Sequence, residues 1–378
     1  MSNLVPFLRH AKETLSSCKK VQVVMGNEAC DLDSAVSAIT YAFLLHSLRA
    51  GREDSGGGEG EGVGVGVVPL LNIPRRDFPL RTEVTYWLGK HGVSQEMLVF
   101  RDEISLHDLH QKGNLQLFLV DHNILPAGDA SLESAVRYVI DHHQLERQVG
   151  AGADEILLEM VGSCSTLIAE RILEENRTLL EEDEAVVRLL HGTIILDTIN
   201  LSEEAKRVTP KDVRVVKELE AVLSTPPDRT QLFAEMTSAK GDISSLTTEE
   251  LLRKDRKVVG GRQVVVGMSS LPLRVEDYLQ RADVGVSLEQ HTGAHVIVLM
   301  GISLAGNSVE RDIAVYSKDE ELRRSLTQYL EEAQGGLLQL ASMDTNVAHC
   351  KAYQQKNYAA SRKVVLPLVK EWLAAKNL

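Results

Sequence analysis

Val139-Ile140-Asp141-His142-His143 is the stretch from which the rest of the sequence is interpreted. A short apolar run ends there in a carboxylate followed by two imidazoles, and these side chains bind divalent metal ions in proteins. Further carboxylates follow apolar runs elsewhere in the chain, at Asp31 and Asp33, at Asp121 and at Asp197. We expect all of these groups to converge on one metal site.

Each of these residues also has an ordinary structural interpretation. Asp31 and Asp33, in the segment Asn27-x3-Asp31-x-Asp33-Ser34, could cap a helix, and Asp121 could make a turn at a strand end. Asp197 could close its helix, although a buried carboxylate must be paired or bound to metal. The two adjacent histidines beside an aspartate are harder to explain without a function. They therefore carry more weight than the isolated carboxylates.

Composition limits the class of protein. The chain has 378 residues, of which 43% are hydrophobic, and its formal charge is 41 − 54 = −13. This length predicts two domains, and the acidic charge argues against binding of nucleic acid or membrane surfaces. Four cysteines without a Cys-x-x-Cys pair predict reduced thiols. We see no signal peptide and no apolar run long enough to span a bilayer, so we expect a cytoplasmic protein.

The order of predicted elements indicates an α/β protein. Strands alternate with helices over residues 1–205, which predicts a parallel sheet flanked by helices. Residues 206–240 are predicted as a helical linker, and residues 241–378 as a smaller α/β domain. Residues 51–66 are rich in Gly and Glu. No Gly-Lys-Ser/Thr follows them, so we predict a flexible insertion rather than a phosphate-binding P-loop.

A basic motif, Ser361-Arg362-Lys363, lies close to the C-terminus. Basic side chains at a helix N-terminus oppose the helix dipole, so they do not stabilise the helix. Together with the free N–H groups of the first helical turn they would suit a polyanion. A solvated pair of basic residues is the alternative.

In this order, the motifs resemble the DHH phosphoesterase superfamily with a second domain of the DHHA2 class. Family II inorganic pyrophosphatases, fungal exopolyphosphatases and the animal prune group share that class, and the prune group is the most similar. The matching motifs of the first domain are Asn27-Glu28-x-x-Asp31-x-Asp33-Ser34, Val120-Asp121-His122-Asn123, Ile140-Asp141-His142-His143 and Leu196-Asp197-Thr198. Those of the second are Lys240-Gly241-Asp242-Ile243-Ser244, Glu249-Glu250-Leu251-Leu252-Arg253-Lys254-Asp255 and Ser361-Arg362-Lys363.

The resemblance implies a two-metal hydrolase with its active site in the cleft between the domains. The implied cofactors are two divalent ions, Mg²⁺ or Mn²⁺. Asp31 and Asp121 would bind one ion, and Asp33, Asp121, His142 and Asp197 the other. Asp121 and His143 are the implied catalytic residues, with Asp121 bridging the ions. The implied contacts to substrate phosphates come from Asn27, His143, Lys240, Arg362 and Lys363.

The resemblance further implies an exopolyphosphatase that removes terminal phosphate from short-chain polyphosphate. Pyrophosphatases have a histidine ligand where this chain has Asn27, which argues against pyrophosphate as the best substrate. The Gly-Gly-Gly-His motif of nucleic-acid-cleaving relatives does not occur. Two alternatives stay open. One is a cyclic-nucleotide phosphodiesterase, and the other is a regulatory scaffold that binds nucleoside diphosphate kinase.

Overall fold

The computed structural model describes residues 3–18, 20–54, 64–145, 153–290, 293–305 and 308–377. The chain divides into two compact units, the first ending at Asp242 and the second beginning at Ile243. Among the helices in the described ranges, none has both the length and the apolar character needed to cross a bilayer.

The first unit alternates helices and strands. Its helices are α1 (Leu4–Ser17), α2 (Leu32–Asp54), α3 (Thr82–Lys90), α4 (Leu106–Gln111), α5 (Cys164–Glu175), α6 (Arg177–Glu182), α7 (Glu184–Asp197), α8 (Pro210–Val222) and α9 (Arg229–Gly241). Its strands are β1 (Lys20–Met25), β2 (Val65–Leu71), β3 (Val99–Phe100), β4 (Leu115–Val120), β5 (Val136–Asp141) and β6 (Glu155–Leu158).

These strands form one parallel sheet in the order β3-β2-β1-β4-β5-β6. The sheet grows outward in both directions from the central pair β1 and β4. At such a reversal of strand order the loops at the carboxyl ends of the strands diverge and leave a crevice. The predicted parallel α/β fold is confirmed.

Both faces of the sheet are covered, which explains why its central strands are apolar throughout. Val24 of β1 packs in a core cluster with the helices α2 and α7. Its neighbours Val23 and Met25 point the other way, into a second cluster that contains Leu106 of α4. Alternate residues of a strand point to opposite faces, so a strand buried on both sides carries an unbroken apolar run.

Two predicted boundaries differ from the structure. The predicted insertion at 51–66 begins inside α2 and ends inside β2, and residues 55–63 lie outside the described residues. The segment predicted as a linker, 206–240, contains α8 and α9, which pack on α5, α7 and α3 within the first unit. Buried Val215, Leu219 and Met236 join the core of that unit, so these helices are part of it.

The second unit has a mixed sheet. Its strands are β7 (Arg256–Gly260), β8 (Val265–Leu271), β9 (Val296–Ala305), β10 (Ser308–Tyr316), β11 (Leu340–Met343) and β12 (Cys350–Gln355), in the order β11-β12-β10-β9-β8-β7. Its helices are α10 (Thr248–Lys254), α11 (Val275–Leu279), α12 (Val284–Gln290), α13 (Glu320–Gly336) and α14 (Arg362–Ala375). Only β8 and β9 run parallel among the strand pairs in the described ranges.

Candidate metal centre

A cavity of about 460 Å³ opens at the carboxyl ends of β1, β4 and β5. The predicted metal-binding residues of the first unit all line it, together with two of the predicted phosphate contacts. These lining residues are Asn27, Asp31, Asp33, Asp121, His142, His143 and Asp197. The central strands end at this edge, so residues far apart in sequence meet at one place.

Asp121 lies at the centre of this group. It follows β4 directly, is 3% exposed and has a φ of 62°, a left-handed conformation that non-glycine residues seldom adopt. Its N–H donates to the carbonyl of Ile140 at 3.0 Å. Burial and the neighbouring charge of Asp33 raise the pKa of the Asp121 carboxyl. Backbone strain and an unfavourable charge at one residue are typical of a functional site.

His142 presents one ring nitrogen to these carboxylates. Its Nδ1–H donates to the carbonyl of Val161 at 2.9 Å, and Nε2 lies 3.2 Å from Oδ1 of Asp121 and 3.7 Å from Oδ2 of Asp33. Burial alone would lower the pKa of His142, but the hydrogen bond to Asp121 and the charge of Asp33 raise it to about 10. A histidine whose Nδ1–H is held by a carbonyl is oriented to bind metal through Nε2.

His143 has a different environment. Its side chain is 54% exposed, against 16% for His142, so it faces the solvent in the cavity. Nδ1 donates to Oδ1 of Asp141 at 2.8 Å, and this hydrogen bond raises the pKa of His143. Asp121, His142 and His143 each offer a ligand atom within 4.8 Å of the others.

Asp141 is fully buried and orients both histidines. Its Oδ1 also accepts the backbone N–H groups of His142 at 2.8 Å and His143 at 3.2 Å, and its Oδ2 accepts Nδ2 of Asn123 at 2.6 Å. Burial opposes ionisation of Asp141, but the hydrogen bonds from His143 and Asn123 outweigh it and lower its pKa. Asp141 is thus a stable anion beside the cavity.

Asp33 is held by the N-terminus of α5. Oδ2 accepts the N–H of Cys164 at 2.6 Å, and Oδ1 accepts the N–H and the hydroxyl of Ser165, both at 2.7 Å. The free N–H groups of a helix N-terminus favour a negative charge. Asp31 precedes α2, and its Oδ1 accepts the N–H of Ser34 at 3.1 Å, so Asp31 caps the helix and Ser34 lies inside it.

Asp197 is a buried carboxylate that has one oxygen without a partner among the described residues. It is the last residue of α7, and its Oδ2 is buried without a hydrogen-bond partner in the described part of the chain. Burial, followed by the charges of Asp33 and Asp31, raises the pKa of Asp197 well above its ordinary value. The pKa of Asp31 is raised by burial and by Asp33. Mutually repelling carboxylates, an orphaned oxygen and an oriented imidazole fit a divalent ion such as Mg²⁺ or Mn²⁺.

The remaining predicted phosphate contacts belong to α9 and α14. Lys240 is near the end of α9 and does not line the cavity, and its charge only partly offsets the rise that burial and Asp33 cause in the pKa of Asp31. Arg362 begins α14 in the second unit, where its Nη1 lies 2.7 Å from Oδ1 of Asp255 and 3.1 Å from Oγ of Ser270. Lys363 follows it in the first turn of α14 and is exposed.

Sequence reasoning missed several residues of this site. Lys206 and Arg207 also line the cavity, yet no motif singled them out. Asn123 orients Asp141, and Cys164 and Ser165 hold Asp33. Two features of the sequence could have pointed to these supporting residues. They are the Gly162-Ser163-Cys164-Ser165 segment, where α5 begins, and Asn123, which directly follows Asp121-His122.

Comparison with known proteins agrees with this architecture. Residues 22–193 match the profile described as "DHH family, N-terminal domain", and residues 234–372 match "DHHA2 domain". The chain is 39% identical to "Exopolyphosphatase PRUNE1" of Bos taurus and 38% identical to that of Homo sapiens, each over 98% of this chain and 79% of the relative. It is 26% identical to a "Manganese-dependent inorganic pyrophosphatase" of Methanothrix thermoacetophila, over 66% and 68% of the two chains. The chain therefore belongs to the family of DHH proteins with a DHHA2 domain, which includes the PRUNE1 proteins.

Proposed function

We propose that this chain is a metal-dependent exopolyphosphatase that hydrolyses the terminal phosphoanhydride bond of short-chain polyphosphate. The observation that carries the proposal is the convergence of four aspartates and one oriented imidazole on a single cavity. Relatives named exopolyphosphatase and manganese-dependent pyrophosphatase support a hydrolase that acts on phosphoanhydrides.

The proposed ligands of one ion are Asp31 and Asp121, and those of the other are Asp33, Asp121, His142 and Asp197. When bound, divalent ions supply Lewis-acid activation of water and of phosphoryl oxygens. Asp121 would hold both ions, since the charges of both Asp33 and Asp31 act on its carboxyl, and its buried position keeps bulk water from competing for its oxygens. The backbone N–H groups of Cys164 and Ser165 would hold the Asp33 carboxylate in place for this purpose.

His143 would bind the substrate and donate a proton to a phosphoryl oxygen. Its exposed ring is accessible from the cavity, and Asp141 holds Nδ1–H so that Nε2 remains for the substrate. The charge of Asp141 also favours the protonated imidazole, which can stabilise negative charge that develops on a leaving phosphate. Asn27, Lys240, Arg362 and Lys363 remain predicted contacts to other phosphate oxygens.

The direct test is a phosphate-release assay with Mg²⁺ and with Mn²⁺ over pyrophosphate, tripolyphosphate, tetrapolyphosphate, long polyphosphate and cyclic AMP. We expect the highest kcat/KM on tripolyphosphate or tetrapolyphosphate, and no release after removal of metal with EDTA. Faster turnover of cyclic AMP would replace the proposal with a phosphodiesterase.

Asp121→Ala tests the site itself. It should reduce turnover by at least about three orders of magnitude, because it removes the shared ligand of both ions. The matched control is Asp108→Ala, which removes an exposed aspartate from α4, before β4 and away from the carboxyl edge of the sheet. If Asp121→Ala kept wild-type turnover, the two-metal assignment would be wrong. Co-purification of a protein partner with inactive Asp121→Ala would indicate a separate scaffold role.

A further inference from the structure

The segment between α7 and α8, residues 198–209, reaches the cavity at its C-terminal end and will be called the 198–209 loop. Four residues of this loop line the cavity: Lys206, Arg207, Val208 and Thr209. The proposed function gives none of them a role. Both basic side chains are exposed. Within the described part of the chain, neither forms an ion pair with a carboxylate.

The loop is held in an unusual conformation. Ile199, Asn200 and Leu201 have φ values of 53°, 55° and 57°, and Lys206 has a φ of 53°. Non-glycine residues adopt this left-handed conformation rarely, and a β-branched residue such as Ile199 more rarely still. Such backbone persists only where surrounding contacts impose it, and it is concentrated at functional sites.

Those contacts are present at both ends of the loop. At the start, the N–H of Asn200 donates to the carbonyl of Ile195 at 2.8 Å, and the N–H of Leu201 to Oγ1 of Thr198 at 3.1 Å. At the end, buried Asp212 accepts both the N–H and the hydroxyl of Thr209 at 2.7 Å.

Asp212 also joins the loop to the metal centre. Its Oδ2 accepts the N–H of Gly162 at 2.9 Å, and its Oδ1 accepts Oγ1 of Thr166, in the first turn of α5, at 2.6 Å. That same turn holds Asp33. The contacts fix the backbone that carries Lys206 and Arg207 relative to the metal ligands.

Charge balance indicates what the two basic residues bind. The four aspartates of the cavity carry as much negative charge as two divalent ions carry positive charge, so a loaded site has little net charge of its own. A polyphosphate has negative charge on every phosphate, including those beyond the terminal phosphoryl group. Lys and Arg are the side chains that bind such oxygens most strongly.

We propose that Lys206 and Arg207 form a phosphate-binding element for the part of the polyphosphate chain that adjoins the terminal phosphoryl group, and so favour substrates longer than pyrophosphate. This inference rests on the proposed function, since it names which substrates the same site prefers. Because both residues belong to the first unit, that unit would bind not only the terminal phosphoryl group but also the phosphates next to it.

The test uses the full chain with Lys206→Gln and Arg207→Gln as single variants, each of which removes one charge from an exposed position. KM for tripolyphosphate should rise about tenfold in each, the usual size for loss of one charge-assisted hydrogen bond. KM for pyrophosphate should rise distinctly less, and kcat should stay within about twofold. Lys206→Arg, which keeps the positive charge, should retain most of the affinity for tripolyphosphate that Lys206→Gln loses.

The matched control is Lys112→Gln, which removes an exposed lysine at the opposite edge of the sheet, before β4. A second readout is calorimetric binding of diimidotriphosphate in Mg²⁺, which does not depend on turnover. Wild-type KM and wild-type binding in both variants would overturn the inference. If the wild-type chain released no phosphate but both variants bound diimidotriphosphate more weakly, the proposed function would fail and the inference would stand. Absence of diimidotriphosphate binding by the wild-type chain would overturn both.

Discussion

The side-chain amide of Asn27 donates to Asp121 twice: Nδ2 lies 2.8 Å from Oδ2 and 3.2 Å from the backbone oxygen. The amide oxygen of Asn27 faces away from Asp121 and accepts the N–H groups of Ala29 at 2.9 Å and Cys30 at 3.1 Å. Both ends of the amide are therefore engaged in this structure, so the proposed contact from Asn27 to a substrate phosphate requires one of these hydrogen bonds to be exchanged. Asn27 holds the proposed bridging ligand in place, where a histidine would be a ligand itself.

Replacement of Asn27 by Ala should weaken metal binding. The change removes both hydrogen bonds from Asn27 to Asp121, so the strained, left-handed backbone of Asp121 loses a restraint. Loss of such a supporting contact typically costs about 10- to 100-fold in metal affinity or activity. Titration of Mn²⁺ against phosphate release measures the effect. Asn176→Ala is the control, because that amide bonds only Oγ of Ser47 among the contacts described, away from the cavity. Equal Mn²⁺ requirements in the two variants would contradict this role.

Asp141→Asn should separate the roles of the two histidines. The variant keeps the size of the side chain but removes the charge that raises the pKa of His143. We expect the basic limb of the pH–rate profile to move to lower pH, with kcat reduced at neutral pH. Mn²⁺ affinity should change less, since Nδ1 of His142 is held by Val161 instead. An unshifted limb would mean that His143 does not titrate in the reaction.

The metal-free protein should become less stable as the pH rises from about 7 to about 9. The folded state holds a proton on His142 up to a pKa of about 10, whereas the unfolded state releases it near 6.5. The stability that this proton provides is complete below the unfolded pKa and is lost as the pH rises toward the folded pKa. The pKa of His143 is also raised, so its contribution has the same sign.

Thermal unfolding of EDTA-treated protein across that pH range measures this dependence. His142→Gln should flatten it, and Mn²⁺ should stabilise the wild-type chain more at the upper end, because a ligand imidazole must lose its proton. A Tm that does not depend on pH in metal-free wild type would show that His142 is neutral there.

Arg362→Ala should raise KM with little change in kcat, as expected for a residue that binds phosphate without taking part in the chemistry. Its pair with Asp255 is partly exposed, so its loss should lower the free energy of unfolding by less than about 1 kcal/mol. Arg324→Ala, an exposed arginine on α13, is the control for loss of charge in the same unit. An unchanged KM would remove Arg362 from the substrate-binding residues.

Gly162→Ala should disturb the 198–209 loop. An added Cβ would lie 2.6 Å from the carbonyl oxygen of Arg207 and 2.5 Å from Cγ2 of Thr198, so the backbone must move. We expect a loss of about 1–3 kcal/mol in the free energy of unfolding and a raised KM for tripolyphosphate. At Gly89 a Cβ meets nothing within 4 Å, so Gly89→Ala should be neutral or stabilising by up to about 1 kcal/mol. Similar stability of the two variants would contradict the close approach.

The central strands could be predicted because they are buried on both faces. The apolar runs of the sequence predict strands at 21–25, 115–120 and 136–140. The second coincides with β4, and the other two differ from β1 and β5 by one residue each. Edge strands were missed, among them β6, β7 and β11. Most of their positions are half-exposed or exposed, so their existence depends on a neighbouring strand. The sequence pattern over 273–290 predicts a single helix, but the structure has two short helices there, α11 and α12, since such a pattern does not locate a break.

The motifs of the chain are enough to predict its family. The parallel α/β fold and the residue types of the metal centre can be predicted as well, because an apolar strand that ends in Asp or His places that side chain at the carboxyl edge of a sheet. The partners of those side chains depend instead on how distant segments pack together. Asp33 meets the N-terminus of α5 across more than a hundred residues, and Lys206 reaches the same cavity through a left-handed loop. Packing of distant elements sets both arrangements, and neither leaves a local pattern in the chain.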